Sequence, residues 1–382
     1  MALINFIIWN GSPEIFSLGS FELRWYGLLF ALGFLISQQI LYYMYRKEGK
    51  PESDVDTLTI YMVVATILGA RLGHVIFYQP EIFWEDPLGV FLPFEFSPFR
   101  FTGLQGLASH GAAIGILTAL WLYHRKKKPG QDFLRVVDRI VILVALTGAF
   151  IRMGNYFNSE IIGVPTDSPI GVVFANPLTE ALEKDRFDPG DQIQEITYRK
   201  RPDTVNITGE KGRVPISVYL FFRRGVSEEQ ARYMVEYPVN DLISNRLHEF
   251  FDEGEHPLDY SIAKQDDGTV AARINILGIA RHPAQLYESA SCIALFILLF
   301  LIWRRYKASL PPGRLFGIFV IVCFGLRFFY EFLKENQVPF EEGMVLNMGQ
   351  ILSIPLVIAG IFVLLYSYRY EKRDAEKNTV NS

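Results

Sequence analysis

Five arginines stand at the ends of, or inside, strongly apolar stretches of this chain: Arg24, Arg71, Arg152, Arg281 and Arg327. Among the polar groups singled out in those stretches, only Glu160, Glu288 and Glu331 bring negative charge. An ionisable group in such a stretch costs about 2.5–3.5 kcal/mol on insertion scales, so each one needs a reason. An excess of guanidinium suits an anion, and its planar fork matches phosphate through paired hydrogen bonds. The densest polar cluster is Gly148–Gly163, GAFIRMGNYFNSEIIG, where Arg152 is followed by Asn155, Asn158, Glu160 and Gly163. Its glycines let backbone or ligand come close.

Other groups of interest are His110 in Ser109-His110-Gly111-Ala112, Arg281, Gln285 and Tyr287 in RHPAQLYE, and Tyr26 in RWYGLLFALGF. Each has a plainer alternative. His110 is either an acid–base group, since imidazole titrates near neutrality, or a hydrogen-bonded packing residue. Arg327 and Glu331 are four residues apart and either serve a ligand or neutralise each other on one helix face. Tyr26 also fits an interfacial aromatic belt.

The elements that must position these groups are apolar windows of roughly 18–23 residues, the pattern of a polytopic helical membrane protein. They fall at about 24–45, 57–78, 106–123, 135–152, 283–303, 313–332 and 346–368 of the 382 residues. Short connections rich in Lys and Arg follow the first, third, fifth and seventh windows, while the alternate ones carry almost none. The bias predicts seven transmembrane helices with the N-terminus outside and the C-terminus cytoplasmic. MALINFIIWNGSPE has no basic n-region, so the first helix is expected to act as its own insertion signal.

The polar segment 164–280 is too long for a simple connection and reads as a small extracytoplasmic α+β insert. Within it Gly212–Phe222 predicts a strand, Ser227–Phe251 a helix interrupted by Pro238, and Leu258–Ala263 with Thr269–Leu277 a hairpin about Gln265-Asp266-Asp267-Gly268. The basic run Tyr198-Arg199-Lys200-Arg201 reads as a solvated patch. The chain thus divides into helices one to four with the polar loop (1–163), the insert (164–280), helices five to seven (281–368) and a cytoplasmic tail (369–382).

Placed on this topology, the polar groups of all seven helices gather in the outer leaflet and the inner halves are almost wholly apolar. A transporter would carry binding groups to the midplane. No Gly-x-Ser-x-Gly nucleophile elbow is present, which disfavours a phospholipase. A net charge of -4 gives no reason to expect a nucleic-acid partner. Cys292 and Cys323 lie far apart in apolar windows, where no disulfide is expected. With no metal-spaced His/Cys cluster, no cofactor is expected either. The residues alone therefore lead to a membrane-embedded site for an anionic lipid, whether in an enzyme or in a non-catalytic lipid-binding or transport protein.

The blocks RWYGLLFALGF, GARLGHVIFY, SHGAAIG, FIRMGNYFNSEIIG, RHPAQLYE, FGLRFFYEFLKEN and NMGQILSIP resemble, in order, those of the bacterial prolipoprotein diacylglyceryl transferase family. The resemblance touches every spanning helix and covers little of 164–280. It implies a multi-pass protein of the bacterial inner membrane with its site facing the outer leaflet. The implied reaction moves a diacylglyceryl group from phosphatidylglycerol to the lipobox cysteine of a prolipoprotein, forming a thioether and releasing glycerol phosphate. By the same resemblance Arg152 and Arg327 are the essential arginines. His110, Asn155, Glu160, Gly163, Glu331 and Tyr26 match other functional positions. With Arg71, Asn158, Arg281, Gln285 and Tyr287 they complete the expected site, in which His110, Arg152 and Arg327 are catalytic. Three positions depart from the family pattern: Cys323 stands for a tyrosine, Lys334 for an arginine and Ile151 for a glycine.

Overall fold

A computed structural model describes residues 5–18, 21–90, 94–96, 99–101, 108–183, 191–201, 210–252, 258–335 and 344–380. The chain is mostly helical, with some sheet. Its helices are α1 (Trp25–Lys47), α2 (Ser53–Tyr78), α3 (Ile82–Glu85), α4 (Ser109–His124), α5 (Phe133–Phe157), α6 (Asn176–Glu183), α7 (Glu228–Met234), α8 (Ala284–Tyr306), α9 (Arg314–Tyr330) and α10 (Met348–Val380). Each of the seven apolar windows thus holds a helix among its described residues. Among the described residues, five stretches are long and apolar enough to cross a membrane: Trp25–Lys47, Ser53–Tyr78, Ala284–Ser309, Arg314–Leu333 and Met348–Asp374.

Strands are β1 (Ile7–Trp9), β2 (Glu14–Leu18), β3 (Phe21–Arg24), β4 (Phe94–Phe96), β5 (Phe99–Phe101), β6 (Val172–Phe174), β7 (Ile193–Lys200), β8 (Arg213–Phe222), β9 (Phe251–Asp252), β10 (Asp259–Lys264) and β11 (Val270–Ile279). Packing divides the chain into two units. The first comprises Met1–Leu32, Gly148–Ser291 and Leu326–Leu352, and the second Gly33–Thr147, Cys292–Gly325 and Ser353–Ser382.

The first unit holds the insert. Its sheet runs β10-β11-β8-β7, antiparallel throughout, with β9 also pairing β11. Along β8 the alternate residues Val214, Ile216, Val218, Leu220 and Phe222 are buried, as a strand with one core face requires. They pack with Leu178 and Leu182 of α6 and Ala231 and Met234 of α7. The expected strand and hairpin are both present, and Gly268 takes the positive φ of 83° that the hairpin turn needs. Ser227 opens α7 through a reciprocal capping box with Gln230.

The interruption expected at Pro238 is a widening. Two π-helical turns, Val235–Val239 and Leu242–Arg246, follow α7, and the proline sits inside the first. A residue without an N–H is accommodated where the ladder is already loosened. The basic run is only partly a solvated patch. Tyr198 donates to the carbonyl of Ala175 (3.1 Å), and the Lys200 ammonium reaches the carbonyl of Phe6 and lies over its ring.

In the second unit α2 and α4 cross backbone to backbone. A Cβ on Gly111 would lie 2.3 Å from the carbonyl oxygen of Gly69, and one on Gly73 would lie 2.6 Å from the Cα of Gly111. Paired small residues four apart, Gly69/Gly73 and Gly111/Gly115, allow the approach.

The expectation of almost wholly apolar inner halves needs correction at α5. Asp138 is fully buried and accepts the backbone N–H groups of Gly313 (2.7 Å) and Phe316 (2.8 Å), capping α9. Arg139 is 1% exposed and grips the buried Glu48 carboxylate with Nε and Nη2 at 3.0 and 2.8 Å. Glu48 also takes the Trp303 indole N–H at 2.7 Å and the Lys50 ammonium at 2.6 Å. Burial alone would raise the Glu48 carboxyl, but the charges of Arg139 and Lys50 hold it below its usual range. These charges survive burial because each is answered by a charge or a backbone dipole.

Candidate functional site

The signature segment begins on the last turns of α5. Chain reversal follows at once: the N–H of Asn158 bonds the carbonyl of Gly154, that of Ser159 the carbonyl of Tyr156, and that of Glu160 the carbonyl of Asn155, each at 3.1 Å. These contacts satisfy carbonyls that a helix end leaves open. The reversal forces Ser159 and Ile161 to φ of 53° and 56°. The left-handed region is unfavourable for any residue with a Cβ and worst for a branched one, so the loop stores strain on both sides of Glu160. Ser159 is buried and donates to the Asn176 side chain, whose amide in turn donates to the carbonyl of Phe157 at 3.3 Å. That clamp holds the strained turn shut.

Inside the loop Glu160 gathers amides. Asn155 Nδ2 donates to its Oε1 at 2.7 Å and Asn158 Nδ2 at 3.2 Å, while Gln285 of α8 donates to its backbone carbonyl at 2.7 Å. Glu160 is therefore tied to amides, and its side chain is exposed. Two acceptors beside it, Asn158 Oδ1 and Gln285 Oε1, are buried with no donor among the described residues.

Gly163 locks the loop to two other segments. Its N–H bonds the carbonyl of His282 (3.1 Å), and the next residue, Val164, bonds that of Leu333 (2.8 Å). A Cβ there would lie 2.5 Å from His282 O and 2.7 Å from Leu333 O, so only glycine fits between the two backbones. Arg281 is 3% exposed and committed to framework: it donates to the carbonyls of Glu249 (2.8 Å) and Gly163 (3.1 Å) and pairs with Glu335. The Tyr287 hydroxyl meets His282 Nδ1 at 3.2 Å. Burial pushes the His282 imidazole below its ordinary value.

The charged groups form a continuous chain. Arg152 donates with Nη1 to Asn155 Oδ1 (3.3 Å) and pairs through Nε with Glu288. Glu288 contacts the Lys334 ammonium, which lies 3.7 Å from Glu331, and Glu331 is 3.5 Å from Arg327 Nε. Asn347 donates to the other Glu331 oxygen at 3.2 Å and caps α10 reciprocally with Gln350. Gly349 leaves room for that carboxylate, since a Cβ there would lie 2.6 Å from Glu331 Cδ. Tyr26 packs over Gly154, where a Cβ would come within 2.8 Å of its ring.

Eleven expected residues thus fall in the first unit. Arg152, Asn155, Asn158, Glu160 and Gln285 form one connected network, and Arg327 and Glu331 join it through Glu288 and Lys334. The remaining two, Arg71 and His110, belong to the second unit. Arg71 donates to the carbonyls of Gly89 (2.7 Å) and Val90 (3.1 Å), and His110 is exposed with its ring edge-on to Phe77 at 5.0 Å. Sequence reasoning passed over Glu288 and Lys334 as connectors. The one available signal was that RHPAQLYE ends on a carboxylate, while Arg152 has no acidic residue within the turn before it.

An arrangement of two partly open guanidiniums, each held from behind by a buried carboxylate, can receive an anion with one or more exposed oxygens. The side chains of Arg152 and Arg327 are 25% and 44% exposed, against 10% and 11% for Glu288 and Glu331. Arg152 meets its partners through Nε and Nη1, and Arg327 approaches Glu331 through Nε.

The sequence profile of a family described as prolipoprotein diacylglyceryl transferase matches residues 13–366 of the chain. The chain belongs to this family of transferases. A relative from Tolumonas auensis, named phosphatidylglycerol--prolipoprotein diacylglyceryl transferase, is 32% identical over 367 residues, covering 96% of this chain and all of its own. One of the same name from Bacteroides fragilis is 32% identical over 378 residues, covering 98% and 99%. Another from Chloroherpeton thalassium is 29% identical over 365 residues, covering 96% of each. With 96–98% of this chain covered, the similarity takes in the segment 164–280 as well as the helices.

Proposed function

We propose that this protein transfers the diacylglyceryl group of phosphatidylglycerol to the lipobox cysteine thiol of a prolipoprotein. Sulfur attacks the terminal glycerol carbon of the diacylglyceryl group. The carbon–oxygen bond to phosphate breaks, and glycerol phosphate leaves with the bonding electrons. The thiol proton goes to a base, for which His110 is the candidate. The observation that carries the reading is the pair of backed, partly open arginines on family-matching positions. The phosphodiester starts with one negative charge and the departing monoester gains a second. Guanidinium groups aimed at it bind the transition state more tightly than the substrate, which lowers the barrier.

Arg152 and Arg327 are assigned to the phosphate. Tyr26, Asn155, Asn158, Glu160, Gln285, Tyr287 and Glu331 form the walls that orient lipid and peptide. Gly163 and Arg281 fix those walls, and Arg71 holds the connection after α2. The exposed thiol of a peptide, with an ordinary pKa of about 8.5, gains nucleophilicity when a base or nearby cation favours its thiolate. No cofactor enters this scheme.

We further propose that all seven apolar helices span the bacterial inner membrane, N-terminus outside, with the site facing the outer leaflet. The Lys/Arg bias of the short connections supports this orientation. The α4 helix is short, 16 residues or about 24 Å at 1.5 Å per residue, and its glycine-paired contact with α2 supports its place in the bundle. The test of function is purified protein with headgroup-labelled and acyl-labelled phosphatidylglycerol and a lipobox peptide. Peptide is expected to gain diacylglyceryl as glycerol phosphate appears. Lipid bound without either product would overturn the transferase reading, and labelled lipid moved between vesicles would replace it with transport.

A further inference from the structure

Lys334 occupies the middle of the charge chain and is the least exposed member of it, its side chain 5% exposed. We infer that Lys334 is a positioning residue that couples Arg152 to Arg327 and sets the net charge they present, and that it does not itself contact the phosphate. The inference rests on the assignment of those two arginines to the phosphate.

The ammonium lies between two carboxylates that are themselves about nine-tenths buried, contacting Glu288 Oε1 and standing 3.7 Å from Glu331 Oε1. Glu288 gives its other oxygen to Arg152, and Glu331 shares Oε1 with Arg327 while Oε2 accepts Asn347. Each carboxylate therefore faces an inner lysine and an outer arginine. A buried cation enclosed this way cannot swing to a ligand without withdrawing its charge from two largely buried carboxylates. The backbone also fixes it, because Lys334 bridges Gly163 and the neighbouring Leu333 carbonyl accepts Val164.

Three cations and two anions leave this chain one net positive charge. Without the lysine the net charge is zero, and each carboxylate turns wholly to its arginine. Both effects weaken the pull on an anionic headgroup and draw the guanidiniums back from it.

The test uses full-length protein with labelled phosphatidylglycerol and a lipobox peptide, reading kcat and the KM for each substrate alongside thermal unfolding. Lys334→Met keeps the length of the side chain and removes its charge. It should lower kcat/KM for the lipid by roughly tenfold to a hundredfold, with the peptide KM unchanged. Lys334→Arg should restore most of the activity, since charge rather than shape is required. Adding Glu288→Gln to Lys334→Met returns the net positive charge and should recover activity relative to the single variant, which a merely structural lysine would not produce.

Wild-type kinetics for Lys334→Met, or a double variant worse than either single change, overturns the inference. If Lys334→Met does not fold, Lys334→Arg and the double variant carry the test. The underlying assignment is separable. Full activity in Arg152→Lys and Arg327→Lys would remove the phosphate reading, whereas inactive arginine variants with an active Lys334→Met would remove only the coupling.

Discussion

Replacing Gly163 by alanine adds one methyl group, and the structure says where it must go. It would sit 2.5 Å from the His282 carbonyl oxygen, 2.7 Å from His282 Cβ and 2.7 Å from the Leu333 carbonyl oxygen. Ordinary contact for a methyl begins near 3.5 Å. Two of the three neighbours are backbone, so neither can rotate away. The loop must therefore lift from both segments, weakening Gly163 N–H to His282 and Val164 N–H to Leu333. Overpacking costs about 1–3 kcal/mol and each of the two lost hydrogen bonds about 1 kcal/mol, so the local penalty is roughly 3–5 kcal/mol. Because Leu333 precedes Lys334, displacement moves the middle of the charge chain as well. Transfer of diacylglyceryl to a lipobox peptide should fall by at least about a hundredfold, on the rule of 1.36 kcal/mol per tenfold. The unfolding temperature should drop by only a few degrees, because the rest of each unit is untouched. Near-normal transfer by Gly163→Ala would refute the reasoning, since no arrangement of these backbones accepts the methyl in place.

Other consequences can be checked in the same assays. Arg152→Lys retains one contact of the present Nε and Nη1 pair and loses the fork. Charge-assisted hydrogen bonds are worth about 1.5–3 kcal/mol, so a loss of roughly tenfold to a hundredfold in kcat/KM is expected with normal membrane insertion. Ile161→Gly removes left-handed strain while adding chain entropy, two effects of about 1 kcal/mol each that oppose one another. Its unfolding temperature should stay close to that of the parent, whereas a large drop would show that the loop is not strained. Gly111→Val must push α2 from α4, and a thermal stability equal to that of the parent would disprove the close crossing. His282 is kept below its ordinary proton affinity by burial, so the folded state binds fewer protons than the unfolded one just below about pH 6.5. Its contribution to stability is complete above that pH and fades as pH falls through the folded value. His282→Gln should flatten this part of the profile of unfolding temperature against pH.

Helices and their order were legible because each apolar window is long and its ends are marked by charge. Trp25–Lys47 and Ala284–Tyr306 fall within a few residues of the windows drawn from composition. The hairpin about Gly268 was legible for the same local reason: a turn residue with positive φ between alternating strands. Contacts between distant segments were not. Nothing in the local pattern says that β1 near the N-terminus pairs with β6, or that Asp138 caps a helix opening at Arg314. Asp138 and Arg139 were overlooked because a count of charge by depth treats them as isolated costs. Their partners Glu48, Gly313 and Phe316 come from far along the chain.

The site shows the same division more sharply. Residue type located Arg152, Asn155, Asn158 and Glu160, and their closeness in sequence ensured that they would meet at a helix end. Spacing offered Glu331 as a neutralising partner for Arg327, because a carboxylate four residues from a cation on a helix is the simplest pairing. Glu331 takes that role. Glu160 instead takes two amides, and the partner of Arg152 is Glu288, contributed by another helix. This substitution of partners matters for chemistry. A carboxylate in direct salt bridge with Arg152 from the same loop would present with it little net field. A carboxylate on α8, anchored by Lys334, holds the guanidinium from behind and leaves its outer edge to the ligand. Glu160, tied through neutral amides and exposed, keeps its own charge facing outward. The loop therefore offers an oriented cation and an anion side by side, an arrangement that can hold an anionic headgroup at one end and a hydrogen-bond donor at the other.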